Sequence, residues 1–269
     1  MSASGRVVFR QPGGIQAIAN ALSDIEAVAG RNLITYFRVP QLLVFSSIQP
    51  VIFVLLFRYV FGGAVRVPTG NYVDFLMPGI FVQTTVFGAI GTAVGLATDL
   101  QSGLLERFRS LPMSRAAVLA GRTMAELGRN AVVLALMLIV GFAVGWRPHT
   151  DAQSFIVAMA LVLLFGYVFS WIFAGVGLLT RDPESAQAAS FPVLAILVFA
   201  SSAFVPTSTM PGWLRVYADH QPVSVTISAV RTLLLGGSAW PDVLRTLAWM
   251  AGILAVFAPL SVWRYQRTT

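Results

Sequence analysis

Charged residues are so scarce in this chain that two clusters stand out. Arg122, Glu126 and Arg129 follow one another at spacings of four and three, which aligns them on a single face of a helix. Glu106, Arg107 and Arg109 crowd into the stretch LLERFRSLPMSR, residues 104–115, where Pro112 interrupts any helix. His149 and His220, the only histidines, sit far apart in sequence on separate polar segments. Glu126 is the one acid near the interior of an apolar run, the position a proton carrier in a membrane occupies. Its arginine neighbours favour a different role, a salt-bridged ladder that lies against protein near the inner membrane surface.

Missing residue types exclude several chemistries. All 18 basic residues are arginine, and a phosphate-binding P-loop requires a lysine after its glycine-rich turn. The chain therefore cannot hydrolyse ATP through such a loop. With no cysteine, disulfides and thiolate nucleophiles are ruled out. Two separated histidines without clustered carboxylates do not make a metal site, so no metal is expected. His149 reads as a solvated loop residue, and His220 as a group that caps or pairs within its own segment. The formal net charge of +7 is better explained by cytoplasmic loops of a membrane protein than by nucleic-acid binding.

The elements that must carry these residues are membrane spans. Hydrophobic residues make up 57% of the chain and charged ones only 11%, roughly half the charged share of a soluble domain. A bilayer-crossing helix needs about 20 mostly apolar residues, and this chain offers several such runs. They predict an all-α integral membrane protein with six transmembrane helices, over residues 41–61, 75–97, 116–146, 155–179, a fifth from about 187, and 246–263. Ahead of them, residues 1–40 form a tail without a cleavable leader. Within it Ile15, Ile18, Leu22, Ile25 and Ala29 recur at helical spacing, the pattern of an amphipathic helix lying on the inner membrane surface or packed on protein. Between the fifth and sixth spans, residues 206–237 are apolar but broken by Pro206, Pro211, Asp219, Pro222 and Arg231, which predicts a re-entrant helical hairpin.

Six spans put both termini on one side. If that side is the cytoplasm, only Arg58, Arg66, Arg147, Arg215, Arg231 and Arg245 lie outside, half as many as inside. Positive charge concentrates in the cytoplasm, so both termini and residues 98–112 are placed there. Trp146, Trp213, Trp240 and Trp263 fall near predicted span ends, where amphipathic rings sit. Gly91 with Gly95, and Gly141 with Gly145, have the small-xxx-small spacing of close helix contacts. Gln83, Thr84, Thr85 and Thr92 in the second span, with Ser201 and Ser202 in the fifth, are the polar groups available to line an internal pathway. Each serine or threonine has the alternative of bonding its own helix backbone.

The segment after the second span has a more specific pattern. Residues 99–111, DLQSGLLERFRSL, predict a short helix with Leu104, Leu105, Phe108 and Leu111 as an apolar stripe and Glu106, Arg107 and Arg109 beside it. Apolar anchors ringed by charge suit docking of a helix into a protein groove. Together with FVPTSTMPGWLR after the fifth span and QPVSVTISAVRTLLLGG before the sixth, GLLERFRSLPMSR resembles the permease subunits of ABC type-2 exporters, in particular the daunorubicin-resistance-like drug and lipid exporters. The resemblance covers essentially the whole chain.

That resemblance implies a function and partners. Residues 98–112 would be the coupling helix, with Glu106, Arg107 and Arg109 in polar contact and Phe108, Leu111 and Pro112 shaping its fit to a cytosolic ATP-binding subunit. Two copies of that subunit would carry ATP and Mg, leaving this chain without a cofactor of its own. A second permease, identical or related, would complete the pathway, with the second and fifth spans facing it and the hairpin as outer gate. Membrane lipids would surround the assembly in a bacterial cell membrane. The expected cargo is a hydrophobic or amphipathic drug or lipid-like molecule. The alternatives are a polysaccharide or glycolipid export permease, or a proton-coupled secondary transporter using Glu126.

Overall fold

The computed structural model describes residues 23, 26, 28–30, 34, 38, 40–65, 67, 70–103 and 115–267. Most of the predicted interface helix and the segment 104–114, which holds Glu106, Arg107, Phe108, Arg109, Leu111 and Pro112, lie outside the described residues. Every regular element among the described residues is helical. Among the described residues, four helices are long and apolar enough to cross a bilayer, and three further apolar helices are shorter.

Helix α1, Pro40–Leu55, contains Pro50 and runs on as a π-helical turn, Leu56–Phe61. A proline removes one backbone donor and crowds the preceding turn; the π-helical turn begins six residues beyond it. Helix α2, Tyr72–Gln101, is the centre of the fold, with every residue from Tyr72 to Val86 buried. Around it pack α3, Arg115–Ala143, α4, Ala152–Thr180, and α5, Pro183–Phe199. A short 3-10 turn, Thr207–Thr209, then leads into α6, Gly212–His220, and α7, Pro222–Leu235. Helix α8, Trp240–Arg267, closes the chain against α4 and α7.

Sequence explains where these helices start and stop. Asn71 accepts the Val73 amide at 3.2 Å and caps α2, while Asp151 and Asp182 cap α4 and α5 by accepting the amides of Ser154 and Ser185. Pro183 follows Asp182 at the first turn of α5, where its missing donor costs nothing. At the other end of α5 the carbonyls of Leu197 and Ala200 accept from Gln221 Nε2 at 2.8 and 3.1 Å. One side chain thereby ties α5 to the α6–α7 corner.

Four sequence expectations are corrected. Residues 99–101 do not begin a separate helix: α2 continues through Gln101 and ends at Gly103, whose φ of +71° suits glycine. Ser201 and Ser202 lie in the turn beyond α5 rather than within it. Trp146, just past the end of α3, is not an exposed ring but fully buried against protein, edge-on to Phe81 at 5.2 Å between ring centroids. Gly145 forms no helix-packing pair with Gly141, because it sits past the end of α3 at φ +94°.

Candidate functional site

Two features of the helix bundle combine polar groups with burial or an opening. The first is the ladder on α3. Glu126 accepts from Arg129 Nε at 2.7 Å, and Arg129 Nη2 donates to Asn130 Oδ1 at 2.9 Å. Glu126 is 1% exposed and Arg129 7%. One turn earlier, Arg122 Nη1 donates to Asp99 of α2 at 2.6 Å. Asn130 Nδ2 donates to the Thr85 carbonyl of α2 at 3.4 Å.

The ladder fits because α2 presents a glycine stripe to it. A Cβ on Gly91 would lie 2.8 Å from Glu126 Oε1. On Gly88 it would strike Arg129 and Asn130, and on Gly95 the Arg122 guanidinium. The Gly91 and Gly95 pair thus seats charged side chains rather than another helix backbone. Close backbone approach occurs elsewhere, where Gly79 faces Ala203 and Gly177 faces Ala93.

The second feature is a cleft of about 430 Å3 between α1, α2, α3 and α5. Ser46 and Gln49 of α1, Gln83 and Thr84 of α2, Arg129 of α3 and Gln187 of α5 supply its polar lining, and Phe87 and Phe191, packed edge-on at 6.1 Å between centroids, its aromatic lining. Gln83 is 1% exposed, yet its Oε1 has no hydrogen-bond partner. Such a group carries a desolvation penalty of about 1–3 kcal/mol until a donor arrives. Past the ends of α1 and α5, the rings of Phe57 in the π-helical turn and Phe204 stack at 4.3 Å, with Phe199 stacked on Phe204 at 5.5 Å.

The sequence-selected residues distribute unevenly over these features. Gln83 and Thr84 line the cleft, though Thr84 also donates to its own helix at Ile80 O, 2.7 Å. Thr85 bonds Val82 O at 3.0 Å and packs beneath Gly166 of α4. Thr92 is buried away from the cleft, and Ser201 and Ser202 stand at the far end of α5. Arg122, Glu126 and Arg129 share one face, but only Arg129 reaches the cleft wall. Sequence reasoning missed Gln49, Asn130 and Gln187. Each is an uncharged amide inside or beside an apolar run, which was the available signal.

His149 and His220 are kept apart. The His149 amide donates to Leu234 O at 2.9 Å, and His220 Nδ1 lies 2.8 Å from Val216 O within α6. Among the described residues, no three metal-ligating side chains converge.

Comparison with known proteins gives this geometry its context. The family model described as ABC-2 type transporter matches residues 23–235. The chain is 36% identical over 250 residues to the daunorubicin resistance ABC transporter permease protein DrrB1 of Streptomyces coeruleorubidus, covering 93% of this chain and 88% of that one. It is 28% identical over 264 residues to the probable doxorubicin resistance ABC transporter permease protein DrrC of Mycobacterium tuberculosis, covering 97% and 94%. A putative transport permease, ycf38, of Porphyra purpurea is 26% identical over 221 residues, covering 78% and 73%. The cleft and buried ladder therefore lie in a multi-pass membrane protein that belongs to the ABC-2 type transporter family, the permease subunit of an ABC exporter whose ATPase activity resides in a separate subunit.

Proposed function

We propose that this permease exports a hydrophobic or amphipathic drug or lipid-like molecule across a bacterial cell membrane, with the cleft between α2 and α5 as its route. The observation that carries this reading is the cleft itself, where an aromatic lining accompanies the buried, unpartnered Gln83 oxygen. Apolar surface with a few fixed polar groups suits a greasy cargo bearing a hydroxyl or amine. Similarity to daunorubicin and doxorubicin resistance permeases supports that cargo class. Six spans with both termini cytoplasmic is the topology that fits this route, with α1 and α5 as the shorter spans and α6 with α7 as the re-entrant hairpin. The ring stack of Phe57, Phe199 and Phe204 would close the outer end.

Driving force comes from the ATP-binding partner, in two copies, which engages Glu106, Arg107, Phe108, Arg109, Leu111 and Pro112. A second permease, identical or related, completes the pathway. A ligand or partner shifts an equilibrium only by its differential affinity for two states, so the ATP-bound dimer must prefer one permease conformation. The coupling segment connects directly to the C-terminal end of α2, where Asp99 holds Arg122. That continuity gives movement of the segment a route to the glycine stripe and the cleft wall.

The test uses inverted membrane vesicles and a fluorescent anthracycline as probe. Vesicles with the permease alone should not accumulate it, and adding the ATP-binding subunit should restore ATP-dependent uptake. Glu106→Gln with Arg107→Gln should keep ATP hydrolysis and permease insertion while abolishing uptake. Accumulation driven by a pH gradient without ATP would instead support proton coupling through Glu126 and overturn this reading.

A further inference from the structure

A second cavity, of about 260 Å3, lies between the start of α2, the turn after α5 and the α6–α7 pair. It shares no lining residue with the cleft. Among the described residues, Arg231 of α7 contributes its only cationic group. Its Nε and Nη2 donate to the Phe75 carbonyl at 3.2 and 3.1 Å, and Nη2 donates to the Ser202 carbonyl at 2.8 Å. The Phe75 ring centroid stands 3.8 Å from the guanidinium carbon. These contacts orient the group without neutralising it. Among the described residues, no ion pair involves Arg231, and no hydrogen bond engages Nη1.

A second observation points into the same space. Ser202 is 6% exposed and lines the cavity, yet its Oγ has no partner. Thr207 and Ser208 add hydroxyls to the lining. A guanidinium remains charged under all ordinary conditions, and the Nη1 donors not used by the Phe75 and Ser202 carbonyls can bond a phosphate oxygen. A partly buried cation in no ion pair among the described residues, beside an unsatisfied buried hydroxyl, is a receptor for an oxyanion. Asp219 also lines the cavity, paired with Arg215 at 3.5 Å across exposed side chains, and offers a partner to an amine. Trp213 and Val216 on α6 leave large apolar surfaces exposed, as side chains at a membrane boundary do.

We propose that this cavity binds the headgroup of an amine-bearing phospholipid, its phosphodiester on Arg231 and Ser202 and its ammonium toward Asp219. The site is separate from the cargo route, so it would anchor the hairpin to a membrane lipid whatever the permease exports. A free phosphate ion has the same oxyanion chemistry, and the two sources are distinguished as follows.

The full chain is purified in a phosphate-free, uncharged detergent and its unfolding temperature followed as short-chain lipids are added. Phosphatidylethanolamine should raise it at the lowest concentration, with phosphatidylglycerol needing several-fold more. Diacylglycerol and inorganic phosphate at matched concentration should leave it unchanged. Ser202→Ala removes a hydroxyl that makes no bond, so the lipid-free protein should unfold as before while needing roughly fivefold to tenfold more phosphatidylethanolamine. Arg231→Lys should weaken the response further. Each shift is read against that variant's own lipid-free value, so a loss of stability in Arg231→Lys does not obscure the result. Equal responses of Ser202→Ala and the unmodified chain would overturn the site. A shift from phosphate alone, from diacylglycerol, or from phosphatidylglycerol at or below the phosphatidylethanolamine concentration would overturn its lipid assignment.

Discussion

Glu126 and Arg129 are a buried ion pair, and such pairs matter most when one partner is lost. Glu126→Ala would leave the Arg129 guanidinium, 7% exposed, without that carboxylate. Breaking buried pairs in this way costs about 3–5 kcal/mol, so thermal unfolding of the purified variant should begin well below that of the unmodified chain. A proton-carrier role would show a different signature, with transport losing its pH dependence while stability held. The glycine seat makes a second residue-level prediction. Gly95→Ala should force Arg122 off Asp99 and destabilise the α2–α3 contact, whereas Gly95→Ala combined with Arg122→Ala removes the colliding group. The double variant should therefore be more stable than the sum of the single losses, a coupling that a double-mutant cycle reads directly. The ladder was legible from spacing alone, since residues three and four apart must share a helix face. Its seat was less legible, because the small-xxx-small pattern does not say whether a glycine admits a backbone, as Gly177 does, or a charged side chain, as Gly95 does.

Helix boundaries were partly readable for the same kind of reason. Asp151 and the Asp182-Pro183 pair cap helices that start at Ala152 and Pro183, signals that reading hydrophobic runs from 155 and about 187 passes over. The end of α2 was misplaced because hydrophobicity falls at Asp99 while the helical backbone continues to Gln101, held by local hydrogen bonds rather than by lipid. The α6–α7 pair was recognised by its breakers, but the contact of Gln221 with α5 depends on tertiary placement that no local pattern encodes. The caps carry a pH prediction. A hydrogen bond with the Ser154 side chain, aided by the Ser154 amide, holds the Asp151 carboxyl below its ordinary range, and the Ser185 amide does the same for Asp182. Because the folded-state values lie below the unfolded ones, the caps stabilise the fold above the ordinary aspartate value of about 4 and lose that contribution as pH falls through the lowered values. Asp151→Asn with Asp182→Asn should flatten the acid side of a stability profile below about pH 4 while changing little in shape near neutrality. An unchanged acid limb would show that the caps do not titrate with folding.

At the scale of the whole molecule, polarity along the bundle axis separates two ends. Asp99, Arg122 and Ser102 belong to the end from which the coupling segment departs, and Phe75, Ser208 and Arg231 to the end where the α6–α7 pair folds back. Composition made the membrane class plain and the arginine count proposed which end faces the cytoplasm, but only accessibility can fix it. The chain has no cysteine, so a single introduced thiol reports its own side without background labelling. Ser102 and Ser208 are both exposed, and a thiol at either place disturbs no buried contact. In intact cells a membrane-impermeant maleimide should label Ser208→Cys and leave Ser102→Cys unreacted until the membrane is opened. Labelling of Ser102→Cys from outside would invert the orientation and place the predicted coupling segment beyond the reach of any cytosolic ATP-binding subunit. The energy source assigned to this permease would then be physically disconnected from the helix that is meant to receive it.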